Sequence, residues 1–283
     1  MIKGSDLVLS TSIVLRDLDW QDRASRAAEL GYRVVESWWP WPYDVATEVD
    51  CDMLAASLSA SDTQLYLLNL TEGDPQYGRR GLAGIPTAED AFWSNAESMM
   101  QIASRTGLSY VNALAGNVTA SGRTAGIETL VSRITSLADR VAALGVGIVI
   151  EQLNNVDNPD YLLTDPDDAV AVVREIRAKA THANVGLLAD VYHLGRAGVD
   201  PVAFVRTHAS LIDHVQLADA PGRGAPGTGA LPILETLDAL SELNYPGRVG
   251  LEFQSEPGYS FPQPDELIEL LRRSSLHAKQ DGA

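Results

Sequence analysis

Gly147-Ile-Val-Ile-Glu151, Val185-Gly-Leu-Leu-Ala-Asp190, Ile212-Asp-His-Val-Gln216 and Arg248-Val-Gly-Leu-Glu252 are four short apolar runs, each ending in an oxygen-bearing side chain. Short runs of this kind fit strands covered on both faces, as in a parallel sheet. As consecutive parallel strands they bring Glu151, Asp190, Gln216 and Glu252 to one mouth of a barrel. Two Glu, one Asp and one amide oxygen form an all-oxygen cage for a hard divalent cation. Acids gathered inside a barrel mouth repel one another unless a cation or a proton compensates them. With no imidazole or thiolate in the quartet, Mg2+ or Mn2+ fits better than zinc. Any one of these acids taken alone is equally explained as a helix cap or a solvated loop group.

Outward from these runs, strand-like segments near 7–15, 33–38, 64–70 and 109–115 precede those near 147–153, 185–191, 212–218 and 247–254. Helical patterns fall between them, at 19–30, 45–60, 88–106, 124–144, 166–180, 200–209, 231–243 and 264–275. Eight β-then-α units predict a single-domain (β/α)8 TIM barrel over residues 1–283, with 276–283 a flexible tail. Acids in Thr87-Ala-Glu-Asp90 and Pro262-Gln-Pro-Asp-Glu266 mark helix starts, and Gly31, Gly107 and Gly145 mark helix ends. Two βα loops are longer than packing requires, Thr71 to Pro86 and Ala218 to Gly229. Such loops sit at the face where barrels build active sites. They carry Arg79-Arg80-Gly81 and Gly222-Arg223-Gly224, which suit close approach to an anionic ligand.

The formal charge is −17, from 38 acidic and 21 basic residues, which argues against nonspecific nucleic-acid binding. A local arginine cluster can still reverse the field for a small anion. The lone cysteine, Cys51, rules out an intrachain disulfide framework and suggests a reducing cytoplasm. The N-terminus lacks a secretory pattern, and no apolar run approaches the roughly 20 residues that span a bilayer, so no membrane partner is expected.

Further candidates flank the quartet. His193, in Asp190-Val-Tyr-His193, lies just past a strand and is placed to polarise a substrate oxygen; a loop histidine bonded to a carbonyl is the plainer alternative. Alternation points His214 to the same side as Gln216 but lower in the barrel, as a core or supporting residue. Trp38, Trp39 and Trp41 either cover the barrel top or wall a small substrate from water. Glu36 and Asn69 end strands two and three and reach toward the same cavity.

The order of these motifs resembles the hydroxypyruvate isomerase family of the xylose isomerase-like TIM-barrel superfamily, from about residue 8 to 256. The resemblance is carried by Leu68-Asn-Leu-Thr-Glu-Gly-Asp74, Gly78-Arg-Arg-Gly-Leu-Ala-Gly-Ile-Pro86 and Ile148-Val-Ile-Glu-Gln-Leu-Asn154. Leu188-Ala-Asp-Val-Tyr-His193, His214-Val-Gln-Leu-Ala218 and Gly250-Leu-Glu-Phe253 complete it. It implies Mg2+ or Mn2+ on Glu151, Asp190, Gln216 and Glu252, with Glu151 and Glu252 also transferring protons. It implies substrate contacts from His193 and Arg223, with Arg80 clamping a carboxylate; Asn69 and Trp38 complete the expected pocket. The implied substrate is a small hydroxy-oxo acid or sugar, isomerised through an enediolate without an organic cofactor, as hydroxypyruvate is to tartronate semialdehyde. A homo-oligomer is common in the superfamily and stays open here. Two departures fall near the mouth: Glu252-Phe-Gln254 lacks the family's frequent basic residue, and Thr228-Gly-Ala230 replaces a frequent Gly-Glu. Rival readings are a ketose 3-epimerase or a sugar or cyclitol dehydratase on the same scaffold, and an inactive metal- or sugar-binding barrel.

Overall fold

A computed structural model describes residues 1–73, 80–256 and 258–281. The strands are Leu7–Ser10 (β1), Val34–Ser37 (β2), Gln64–Asn69 (β3), Tyr110–Asn112 (β4), Gly147–Glu151 (β5), Val185–Asp190 (β6), Ile212–Leu217 (β7) and Val249–Leu251 (β8). Each pairs parallel with the next, and β1 closes on β8 through Leu7↔Val249, Val8↔Gly250 and Leu9↔Leu251. The result is the expected closed (β/α)8 barrel.

The helices are Thr11–Val14 (α1), Trp20–Glu29 (α2), Glu48–Ala60 (α3), Glu89–Thr106 (α4), Arg123–Val141 (α5), Pro166–Lys179 (α6), Val191–Arg196 (α7), Pro201–His208 (α8), Ile233–Glu242 (α9) and Pro264–Asp281 (α10). Their starts follow local chemistry. Thr47 and Asp50 form a reciprocal capping box on α3, and Asp165 and Asp200 cap α6 and α8 ahead of a proline. Gly107 ends α4 in the left-handed conformation, at φ 67°, a backbone state glycine enters without a Cβ penalty.

Three expectations need correction. The first strand stops at Ser10, and Thr11–Val14 turns into α1 instead of continuing extended. A short helix, α7, follows β6 at once, because Asp190 caps it with its own side chain. The last helix runs beyond 275 to Asp281; of the tail expected at 276–283, residues 282 and 283 lie outside the described residues. Among the described residues, no helix is long and apolar enough to cross a membrane.

The apolar core has two parts. The larger fills the space between the sheet and the helices, where Phe92, Met99, Ile134, Leu137 and Ile148 are fully buried. The smaller plugs the barrel interior with Val8, Tyr66, Leu67, Val149 and Leu188, flanked by Val34 and Tyr110. This plug is the floor on which the polar site stands.

Candidate active site

Strand side chains alternate with a period of two, so one step of two residues from the plug converts apolar positions into polar ones. Val8 leads to Ser10, Val34 to Glu36, Leu67 to Asn69 and Tyr110 to Asn112. Val149 leads to Glu151, Leu188 to Asp190, His214 to Gln216, and Gly250 to Glu252 just beyond β8. All eight of these polar residues are buried. Buried polar groups are normally paired, yet Ser10 Oγ, Asn112 Oδ1 and Gln216 Oε1 have no protein partner. A layer of buried acids beside unpartnered hydroxyl and amide oxygens has room for a group from outside the chain.

The acids are held one oxygen at a time. Asn112 Nδ2 donates to Glu151 Oε2 at 2.7 Å, and Trp38 Nε1 donates to Glu252 Oε1 at 2.7 Å. Asp190 Oδ1 accepts from the backbone N–H groups of Tyr192 and His193, at 2.7 and 3.3 Å, which caps α7. Asp190 Oδ2 accepts from Arg223 Nη2 at 3.1 Å, and the same nitrogen donates to Glu252 Oε2. Burial, then the charges of Glu252 and Asp190, pushes Glu151 well above the usual carboxylate range. Burial also raises Asp190, against the pull of Arg223. Glu252 is pushed up to about 7 by burial, with Arg223 opposing and Glu36 and Asp190 adding to the rise. Burial pulls the Arg223 guanidinium down, but Glu252, Asp190 and Glu151 outweigh it and hold the cation firmly protonated.

His193 has a defined tautomer. Its Nδ1 faces the backbone N–H of Asn154 at 3.0 Å and Asn154 Nδ2 at 2.8 Å, while Asn154 Oδ1 accepts from the N–H groups of Val156 and Asp157. Nδ1 is therefore an acceptor, and the ring proton sits on Nε2. That nitrogen lies 3.7 Å from Asp190 Oδ2 and 4.0 Å from Glu151 Oε1. Burial, with Arg223 and Arg80 nearby, keeps the imidazole well below its usual pKa and hence neutral. Glu151, Asp190 and His193 are close enough to hold a cation together, but a protonated Nε2 makes His193 a hydrogen-bond donor and not a ligand.

Arg223 is presented by a tight excursion of the loop after β7. Asp219 and Gly224 bond each other through both backbone groups, and Asp219 binds the N–H groups of Ala220, Gly227 and Leu231 with its carboxylate. Arg223 at the tip takes a left-handed φ of 54°, and its guanidinium lies over the Tyr192 ring.

The oxygens of Glu151, Asp190, Gln216 and Glu252 suit a hard divalent cation. Three are buried carboxylates that burial drives toward protonation, and the fourth is an amide oxygen left unpartnered. Glu151, Glu252, His193, Arg223, Arg80, Asn69 and Trp38 all line one cavity at the barrel mouth. Asp190 and Gln216 belong to the same polar layer, reached through Arg223 and Glu36. Trp39 and Trp41 instead stack edge to face on each other, with Trp41 also against Trp20, in the outer core. Arg79 lies outside the described residues. The sequence reading missed Glu72, a pocket carboxyl raised by burial against the opposing charges of Arg80 and Arg223. It sits 3.4 Å from Arg80, and its place in the Thr71–Pro86 loop was the available signal. Asn112 and Asn154 were missed as supports because their partners lie 39 residues away.

Residues 24–275 match the family described as xylose isomerase-like TIM barrel. A Streptomyces coelicolor protein provisionally named hydroxypyruvate isomerase is 34% identical over 249 residues, 87% of this chain and 89% of that protein. A 2-oxo-tetronate isomerase from Cupriavidus necator is 29% identical over 250 residues, 88% of this chain and 92% of the relative. Among solved structures, a protein from Brucella melitensis described as a family-2 AP endonuclease superposes with a TM-score of 0.82 at 25% identity. That match covers 94% of this chain and 98% of the other.

Proposed function

The chain belongs to the xylose isomerase-like TIM-barrel family, and from that premise we propose that it is a divalent-metal-dependent isomerase of a small hydroxy-oxo acid. The best candidate reaction is hydroxypyruvate to tartronate semialdehyde. The observation that carries this reading is a buried polar layer in which Glu151 and Asp190 flank the Nε2–H of His193, Arg223 ties Asp190 to Glu252, and the Gln216 amide oxygen has no protein partner. Glu151, Asp190, Gln216 and Glu252 would hold Mg2+ or Mn2+, which when bound acidifies the C–H next to a carbonyl.

The chain's own groups account for the rest. Glu151 and Glu252 are the proton-transfer pair, since burial raises the proton affinity of both, Glu252 to about 7 and Glu151 well above the usual carboxylate range. Asn112 fixes one oxygen of Glu151 and leaves the other toward His193, so that carboxylate can take a proton from one substrate carbon. Trp38 and Arg223 hold Glu252, from which the neighbouring carbon is reprotonated. The Nε2–H of His193 donates to the substrate oxygen that gains charge in the enediolate. Arg223 and Arg80 take the carboxylate, Asn69 a hydroxyl, and the Trp38 indole keeps water out. The lone buried Cys51 supports a reducing cytoplasm as the place of work.

In D2O with Mn2+, the enzyme is expected to convert hydroxypyruvate with deuterium entering the product at C2, as followed by NMR. Glu151→Gln and Glu252→Gln should each lower kcat by about a thousandfold with the fold retained. Near-wild-type turnover in both variants would remove the proton-transfer assignment. Glu72 beside Arg80 favours a second reading, a substrate whose far end carries hydroxyls, as in a sugar acid or ketose. Exchange confined to one stereocentre of a ketose, without carbonyl migration, would establish that reading as epimerisation.

A further inference from the structure

We propose that Glu36 is a positioning residue: it turns the Gln216 amide so that its oxygen faces the acid layer, and so sets the affinity of the site for a hard divalent cation. The proposal rests on the metal reading above and adds to it a device that selects which end of an amide is offered.

A glutamine amide carries an oxygen that can bind a cation and an NH2 group that cannot, and rotation about its last bond exchanges them. At position 216 that choice is made by strand two. Gln216 Nε2 donates to Glu36 Oε1 at 2.7 Å, and His214 Nε2 bonds Glu36 Oε2 at 2.7 Å. A Glu36 carboxylate only accepts, so Oε1 takes the Gln216 NH2 group and Oε2 takes His214 in its Nε2–H tautomer. The NH2 end of Gln216 is thus committed to Glu36, and Oε1 is left without a protein partner. All three side chains are buried, at 1% exposure for Glu36, 0% for His214 and 2% for Gln216, so no solvent competes for the amide.

The barrel makes room for this arrangement. Gly250 is the paired neighbour of Gln216 on β8. A Cβ at Gly250 would stand 2.7 Å from Glu36 Oε2 and 2.9 Å from Gln216 Cγ, closer than such contacts allow. Strand eight gives up its inward side chain at this level, and the carboxylate of strand two occupies the space.

The test measures Mn2+ binding by calorimetry on full-length protein, with thermal melts of the metal-free proteins as a folding control. In Glu36→Gln, the new amide that turns its NH2 group to Gln216 draws the Gln216 oxygen away from the acids. Mn2+ affinity should fall about 10–100-fold, the usual effect of disturbing a group that orients a metal ligand. Exchanging the pair in E36Q/Q216E keeps composition and formal charge, and a carboxylate at 216 offers oxygen whichever way it turns; affinity should return to within about threefold of wild type or exceed it. A purely structural Glu36 predicts a lower melting temperature with unchanged Mn2+ affinity in folded E36Q, and that result overturns the proposal. If E36Q does not fold, the exchanged pair carries the test, and folded E36Q/Q216E without Mn2+ binding overturns it. Wild-type protein that takes up neither Mn2+ nor Mg2+ removes the metal reading, and this inference with it. Wild-type binding matched by E36Q removes this inference alone.

Discussion

Single residues in this site act through the direction of a proton or a lone pair. His193 is the clearest case, because two donors from Asn154 fix its Nδ1 as an acceptor. In Asn154→Asp the side-chain donor becomes an acceptor while the backbone N–H stays, so Nδ1 keeps one of its two donors and the preference for the Nε2–H tautomer weakens. We expect kcat to fall by up to about a hundredfold with little change in KM, and imidazole 15N shifts should report a changed tautomer balance. Glu252 sets a pH dependence. Its pKa in the folded protein, about 7, lies above the roughly 4.3 of an unfolded glutamate, so the proton is bound more tightly in the native state. The associated stability is present in full below pH about 4.3 and is lost as pH rises through about 7. For chelator-treated protein we expect the melting temperature to fall across that window, and to fall less in Glu252→Gln. The contribution of this one group is about 4 kcal/mol at most. An unchanged slope in the variant would show that other groups carry the effect.

At the scale of elements, the loop after β3 is tied at both ends. Gly81 N–H donates to Glu72 O at 2.8 Å, and a Cβ at Gly81 would stand 2.2 Å from Leu114 O at a φ of 106°. Gly81→Ala should therefore cost about 2–3 kcal/mol and raise KM for an anionic substrate by displacing Arg80 and Glu72. Gly107→Ala is the control: φ is also positive there, but nothing lies within 4 Å of the added Cβ. It should cost about 1 kcal/mol with KM unchanged. Elements were also the most legible level of the sequence. Eight strand–helix units, and the four oxygen donors at the ends of β5 to β8, could be read because a period of two fixes which side chains face inward. Asn112 was hidden because β4 has only three residues, Tyr110–Asn112, too few to display alternation. The helix after β6 was hidden because its cap, Asp190, also reads as a candidate ligand, and one residue serving two purposes gives one signal. Pairings such as Glu36 with His214, 178 residues apart, exist only once the barrel closes.

The whole molecule carries a charge of −17, while its pocket presents Arg80 and Arg223. An anionic substrate must cross a repelling field before it reaches these two arginines, which share the pocket with Glu72, Glu151 and Glu252. Raising ionic strength from about 10 to about 150 mM shortens the Debye length from about 30 to about 8 Å. We expect KM for a hydroxy-oxo acid to fall over that range and KM for a neutral ketose to stay constant. A KM that rises with salt would mean the pocket arginines dominate the approach. The closed barrel also divides labour between its two halves. Glu151, Asp190, Gln216 and Glu252 all come from the second half of the chain. Asn112, Glu36 and Trp38, which aim three of them, come from the first. A half-barrel assembled from the later units alone would inherit the charge without the aim. In an ancestry by duplication or fusion of half-barrels, the donors and the groups that orient them would have been brought under one selection only when the ring first closed.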